Sequence, residues 1–143
     1  MLKNRVIASL LAGVMVLAVH APAFAAAQGL EKVPASGMHV MFTNADSVES
    51  SLNFSGEQAN CLGIVEGKAG TTKITATILL KRIEGNEATT VKVWSASALG
   101  DALYFDKTYY VAGGYTYQLE LDADVFRNGT AEFVSASAYA YCG

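Results

Sequence analysis

From Val48 to the C-terminus, apolar and polar residues alternate with a period of two, and glycine or asparagine interrupts the alternation every ~8–15 residues. That period belongs to strands with one buried face, because successive side chains of an extended chain point to opposite sides. Thr72–Arg82 is the clearest run. Ile74, Ala76, Ile78 and Leu80 form one face, and Lys73, Thr75, Thr77 and Lys81 form the other. Its many β-branched residues would crowd a helix and suit a pleated sheet. No helical period lasts three turns beyond the N-terminal segment.

The other strands follow the same logic. Met38–Phe42 predicts a short edge strand. Val48, Ser50, Leu52 and Phe54 alternate up to the Ser55–Gly56 turn. In Gln58–Glu66, Cys61 and Val65 point one way, Leu62 and Ile64 the other. Gly85–Asn86 closes a hairpin between Thr72–Arg82 and Thr89–Ser97, and Ala98–Tyr104 reads as a connection. Phe105–Val111 is the next strand, followed by one beginning with Tyr115, Tyr117, Leu119 and Leu121. Asn128–Gly129 is a tight-turn dipeptide, both of whose residues tolerate positive φ. Although Asn53–Phe54–Ser55 and Asn128–Gly129–Thr130 match the glycosylation sequon, Asn128 is read as a turn residue. In Thr130–Tyr141, Phe133, Tyr139 and Tyr141 share a face with Ala131, Ser135 and Ser137, and the other face is small. That strand is long for one ladder and predicts a bulge or bend. About seven strands, each sheet needing its apolar face covered, make an all-β, two-sheet antiparallel β-sandwich.

The N-terminus carries a different signal. Lys3 and Arg5 precede the apolar run Val6–Val19, then Pro22 and overlapping small-residue cleavage sites. This predicts a secretory signal peptide over 1–27, cut after Ala25 or Ala27. A retained membrane helix is disfavoured, because ~14 apolar residues span only ~21 Å against ~30 Å of hydrocarbon. Residues 28–37 read as a loose arm, and 38–143 as a single domain secreted into the extracellular space. Without Lys3 and Arg5, 8 of the 10 basic residues remain against 13 acidic ones, a balance of −5. Such a chain has no electrostatic footprint for nucleic acid and nothing to hold it in a membrane.

Cys61 and Cys142 are the only cysteines. In an oxidising compartment an even count predicts a disulfide between them, with an interchain bond through Cys142 as the competitor.

The stretch Val111–Glu120, VAGGYTYQLE, resembles the E–F corner of immunoglobulin-like and fibronectin-like modules. In those folds a tyrosine after a glycine turn ties its hydroxyl back to the loop, a role the resemblance gives to Tyr115 or Tyr117. Lys73–Ala98 resembles small, uncharacterised secreted proteins of Gram-positive bacteria. The resemblances imply an immunoglobulin-like, bacterial, extracellular module with no reaction attached. The chain departs from true immunoglobulin domains in two respects: Cys61 lacks a partner in the corresponding strand, and Trp94 lies beyond the usual core-tryptophan strand.

No catalytic set stands out. His39 is the one histidine after the signal, and G-x-S-x-G, H-E-x-x-H and phosphate-loop patterns are missing from the sequence. No cofactor is expected. Asp122 and Asp124, with Asp101 or Asp106, are weak calcium candidates against the reading of ordinary surface acids. The aromatics carry more information. Adjacent Tyr109 and Tyr110 must face opposite ways. If Val91 and Val93 face the core, Trp94 and Lys92 stand outside; otherwise Trp94 covers a second face or a loop. Trp94, Lys92, Tyr109 and Tyr110 are therefore the candidate ligand contacts. The expected function is a noncatalytic binding module for an extracellular protein or glycan. The alternatives are a carbohydrate- or wall-binding module and a small secreted enzyme or enzyme inhibitor. A long, unguarded apolar edge strand would favour a protein partner.

Overall fold

A computed structural model describes residues 41–143; the signal segment, the 28–37 arm and His39 lie outside the described residues. Seven strands follow in order: β1 (Ala45–Ser55), β2 (Gln58–Gly67), β3 (Thr71–Glu84), β4 (Glu87–Leu99), β5 (Ala102–Tyr110), β6 (Tyr115–Arg127) and β7 (Thr130–Cys142). They form two antiparallel sheets, ordered β1-β2-β5 and β4-β3-β6-β7. No described helix is long and apolar enough to cross a membrane.

Three hairpins do the local work. Gly56–Glu57 joins β1 to β2, Gly85–Asn86 joins β3 to β4, and Asn128–Gly129 joins β6 to β7. Asn128 and Gly129 have φ of 51° and 76°. This is the two-residue turn with both φ positive, whose twist matches that of the strands it joins. The remaining connections carry the chain between sheets.

The core lies between the sheets. β3 supplies Ile74, Ala76, Ile78 and Leu80, and β6 supplies Tyr117, Leu119, Leu121, Ala123 and Val125. Ala59, Cys61 and Val65 of β2 and Leu103 and Phe105 of β5 face them. Gly63, between Cys61 and Val65, sits at a close approach of the sheets: a Cβ there would lie 3.2 Å from Leu121 Cδ2, which would have to shift slightly.

Several boundaries differ from the sequence expectation. Met41 and Phe42 are not in a strand, and β1 begins at Ala45. β4 continues to Leu99 and β5 starts at Ala102, so most of the expected Ala98–Tyr104 connection is strand. Pairing with Ile74–Lys73 and Val65–Glu66 extends these ends where local composition is ambiguous. The bulge expected in the last strand is missing, because β7 pairs with β6 in unbroken register. The irregularities fall elsewhere: between Ala45 and Ser47, between Thr71 and Lys73, and opposite Val91.

Candidate functional site

Ladder register decides where Trp94 points. It pairs with Ile78, which is fully buried, and directly opposed residues share a face. Trp94 therefore turns inward with Lys92, Ala96 and Ala98, while Val93 is outside and half exposed. The alternative with Val93 in the core and Trp94 outside is overturned, while Val91 is partly buried against the core. Val91 is the extra residue of the bulge: Leu80 pairs with Lys92 and Lys81 with Thr90. The sheets are open between β4 and β5, and a large ring fills that seam. Trp94 meets Phe105 edge-on at 5.3 Å and Tyr109 at 6.1 Å, both from the facing sheet. Lys92 lies over both aromatics, 5.8 Å from the Trp94 ring and 5.5 Å from Tyr109.

Trp94, Lys92 and Tyr109 thus come together, but as a half-buried plug that closes the sandwich edge. Tyr110 points to the opposite, solvent face, as does Tyr104.

At the β5–β6 corner the two tyrosine candidates share a face but differ in burial and partners. Tyr117 is buried, and its hydroxyl donates to the Ala112 carbonyl at 2.8 Å. Burial is the main cause that raises its pKa. Tyr115 instead lies beneath the Arg82 guanidinium, 4.7 Å from ring to cation.

Both cysteines are buried free thiols, so the expected bond is not formed. The two thiols have different neighbours. The Cys142 Sγ is 3.5 Å from the Gly56 carbonyl, at the β1–β2 turn. Cys61 lies further along β2, opposite Leu52. Burial pushes the Cys61 thiol up to about 11.

The acids are dispersed. Asp122 and Asp124 lie on the outer face of β6, where Asp122 accepts from Ser135 Oγ at 2.7 Å. Asp106 lies on β5 in the other sheet, and Asp101 lies in the β4–β5 connection, beside Asp46 and Glu66 around a polar hollow. Among the described residues, no group of three His, Cys, Asp or Glu is arranged to hold a metal.

A row of three exposed aromatics lies on β7, outside the candidate contacts read from the sequence. Along the edge strand β7, Phe133, Tyr139 and Tyr141 are 64%, 56% and 65% exposed on the outer face. Ser135 and Ser137 lie between them. Glu120, Asp122 and Asp124 of β6 pair with Ser137, Ser135 and Phe133. Gln118 donates to Ser137 Oγ at 3.2 Å, and Lys81 bridges to Glu120 at 2.9 Å. The alternation of this strand was visible in the sequence, but its orientation was not. The face of Val134, Ala136, Ala138 and Ala140 turns inward because β1 packs against β7, and small side chains allow that approach.

No protein-family profile and no curated protein matches the chain. Solved structures that it resembles include R. palustris CsgH, at 8% identity over 64% of this chain and 88% of that one, with a TM-score of 0.41. Bacteroides uniformis beta-glucuronidase 2 matches at 15% identity over 68% and 13%, with a TM-score of 0.44. OgpA from Akkermansia muciniphila matches at 12% over 71% and 29%, with a TM-score of 0.41. These are distant β-rich domains, and the likeness to Gram-positive secreted proteins gains no support from them.

Proposed function

We propose that this protein is an exported, noncatalytic binding module of immunoglobulin-like build that holds another polypeptide against the outer face of β7. The observation that carries the reading is the row of Phe133, Tyr139 and Tyr141, each more than half exposed on one rigid strand. Aromatic side chains offer large contact area with few rotatable bonds, and they dominate protein contact sites. The row is flanked by serines and by the β6 acids, which supply hydrogen-bond partners around an apolar centre. Export is supported by the basic start, apolar run and small-residue sites of residues 1–27. The immunoglobulin-like assignment is supported by the strand order: lettered in chain order, three strands A-B-E face four, C′-C-F-G.

The test is an NMR titration of the protein with a reduced, alkylated unfolded polypeptide and, separately, with wall-derived oligosaccharides. The ring signals of Phe133, Tyr139 and Tyr141 should shift with the polypeptide and stay still with the sugars. Replacing all three rings by serine should abolish the response without unfolding the chain, because they point to solvent. Ring shifts with the oligosaccharide alone would replace this reading by the carbohydrate-binding one.

A further inference from the structure

We infer that β7 receives its partner as an added β-strand: an extended segment of another polypeptide, bearing basic side chains, hydrogen-bonded along the open edge of the four-stranded sheet. The inference rests on the polypeptide-binding reading above and specifies the partner's chemistry.

The four sheet edges are not equivalent. Strand edges invite pairing and are usually blunted by bulges, charges, inward-pointing lysines or short length. β1 has the irregularity between Ala45 and Ser47 and the charges of Asp46 and Glu49. β4 has the bulge at Val91 and the inward Lys92. β5 is the shortest strand, at 9 residues, and carries Asp106 and Lys107. Among the described residues, β7 carries none of these guards beyond Glu132 near its start. It runs for 13 residues in unbroken register, and Phe133–Cys142 contains no charged residue, glycine or proline. Its single acid, Glu132, is engaged by the main-chain N–H groups of Thr43, Asn44 and Ala45. β1 packs against β7 without a hydrogen-bonded ladder.

The phase of the edge follows from the turn. In an antiparallel ladder closed by a two-residue turn, the flanking residues, here Arg127 and Thr130, exchange hydrogen bonds, and every second pair does so thereafter. Thr130, Glu132, Val134, Ala136, Ala138 and Ala140 therefore bond to β6. The N–H and C=O groups of Phe133, Ser135, Ser137, Tyr139 and Tyr141 face the open edge. The residues that display aromatic side chains also offer the main-chain groups.

Charge selects the occupant. A new strand would lie roughly 10 Å from β6. Ser135 and Ser137 form a low saddle in between, with Asp122, Asp124 and Glu120 beyond it. A lysine or arginine stem from the new strand crosses that saddle, covers apolar surface and places its cation near Asp122 and Asp124. A second copy of this chain fits less well: its β7 brings no base and would add its own acids to the same face.

Protein made from the full 143-residue sequence is titrated with a synthetic peptide that alternates valine and threonine and carries lysines at successive outward positions. Amide hydrogen exchange is then read residue by residue. The amides of Phe133, Ser135, Ser137, Tyr139 and Tyr141 should slow by about tenfold or more, and those of Val134, Ala136 and Ala138 should not change. N-methylation of the peptide's docking edge, or glutamate in place of its lysines, should weaken binding by about tenfold or more. Asp122→Asn with Asp124→Asn should weaken it by a few-fold, less so at high salt. Shifted Tyr139 and Tyr141 rings with unprotected edge amides would overturn strand addition and leave polypeptide binding standing. Concentration-dependent protection of the same amides without peptide would assign the edge to a second copy and overturn the inference. Neither ring shifts nor protection with any polypeptide would overturn both readings.

Discussion

Tyr117 donates its hydroxyl to the carbonyl of Ala112, five residues upstream, and rests its ring against Phe54 of the facing sheet at 5.6 Å. One side chain thus ties the β5–β6 crossover to β6 and to the core. Tyr117→Phe keeps the ring and removes the bond, leaving the Ala112 carbonyl with one partner fewer. The expected loss is about 1 kcal/mol, measured as a lower urea midpoint with an unchanged slope. An equal midpoint would mean that the hydroxyl contributes nothing to the corner.

Glu132 gives the fold an acid-sensitive latch. Burial tends to raise its carboxyl pKa, but the N–H groups of Thr43, Asn44 and Ala45, with nearby Lys68, outweigh burial and lower it. A group whose folded pKa lies below its unfolded value binds fewer protons when folded. Its stabilisation is therefore present above the unfolded value of about 4.3 and is lost as pH falls through the lower, folded one. Urea midpoints measured from neutral pH down to about pH 3 should fall, and Glu132→Gln should flatten that limb while lowering stability at neutral pH. An acid limb of the same depth in the variant would assign the effect to other carboxylates.

The thiols predict a redox-silent protein. Intact mass should not change on reduction, and both cysteines should react with maleimide only in denaturant, because both side chains are buried. Burial holds the Cys61 pKa at about 11, above its ordinary value of 9.0. The folded state therefore keeps a proton that the unfolded chain loses. Stability should fall as pH rises between those two values, and Cys61→Ala should remove this part of the alkaline limb. A two-dalton gain on reduction would show a disulfide and overturn the prediction.

Trp94 should emit at short wavelength and resist iodide, since it is packed against Phe105 and Tyr109 beneath Lys92. Trp94→Ala should cost about 2 kcal/mol, less than a fully buried tryptophan. Lys92→Val removes the cation–π contact and the charge that guards the β4 edge. It should increase concentration-dependent association, read by light scattering, with little change in secondary structure. A readily quenched Trp94 would contradict the inward placement.

Much of the architecture was present in local pattern. The Ile74–Leu80 and Tyr117–Leu121 faces, the Asn128–Gly129 turn and the need for two sheets follow from a period of two, residue volume and turn stereochemistry, which act within a few residues. The same local rules were silent where both faces of a strand are acceptable. In β4, Val91 and Val93 compete with Trp94 for the interior, and only pairing with Ile78, together with the bulge at Val91, decides between them. In β7 the aromatic face goes to solvent, because the close approach of β1 leaves room only for alanines and Val134.

Cys61 and Cys142 make the same point: their number suggested a bond, and in the folded chain each is a free thiol with its own neighbours. The sequence by itself determined the strands, because alternation and turns are short-range. Which face was inner, which edge stayed open and which side chains met were decided by tertiary packing, where register and volume across sheets outweigh any single residue's preference.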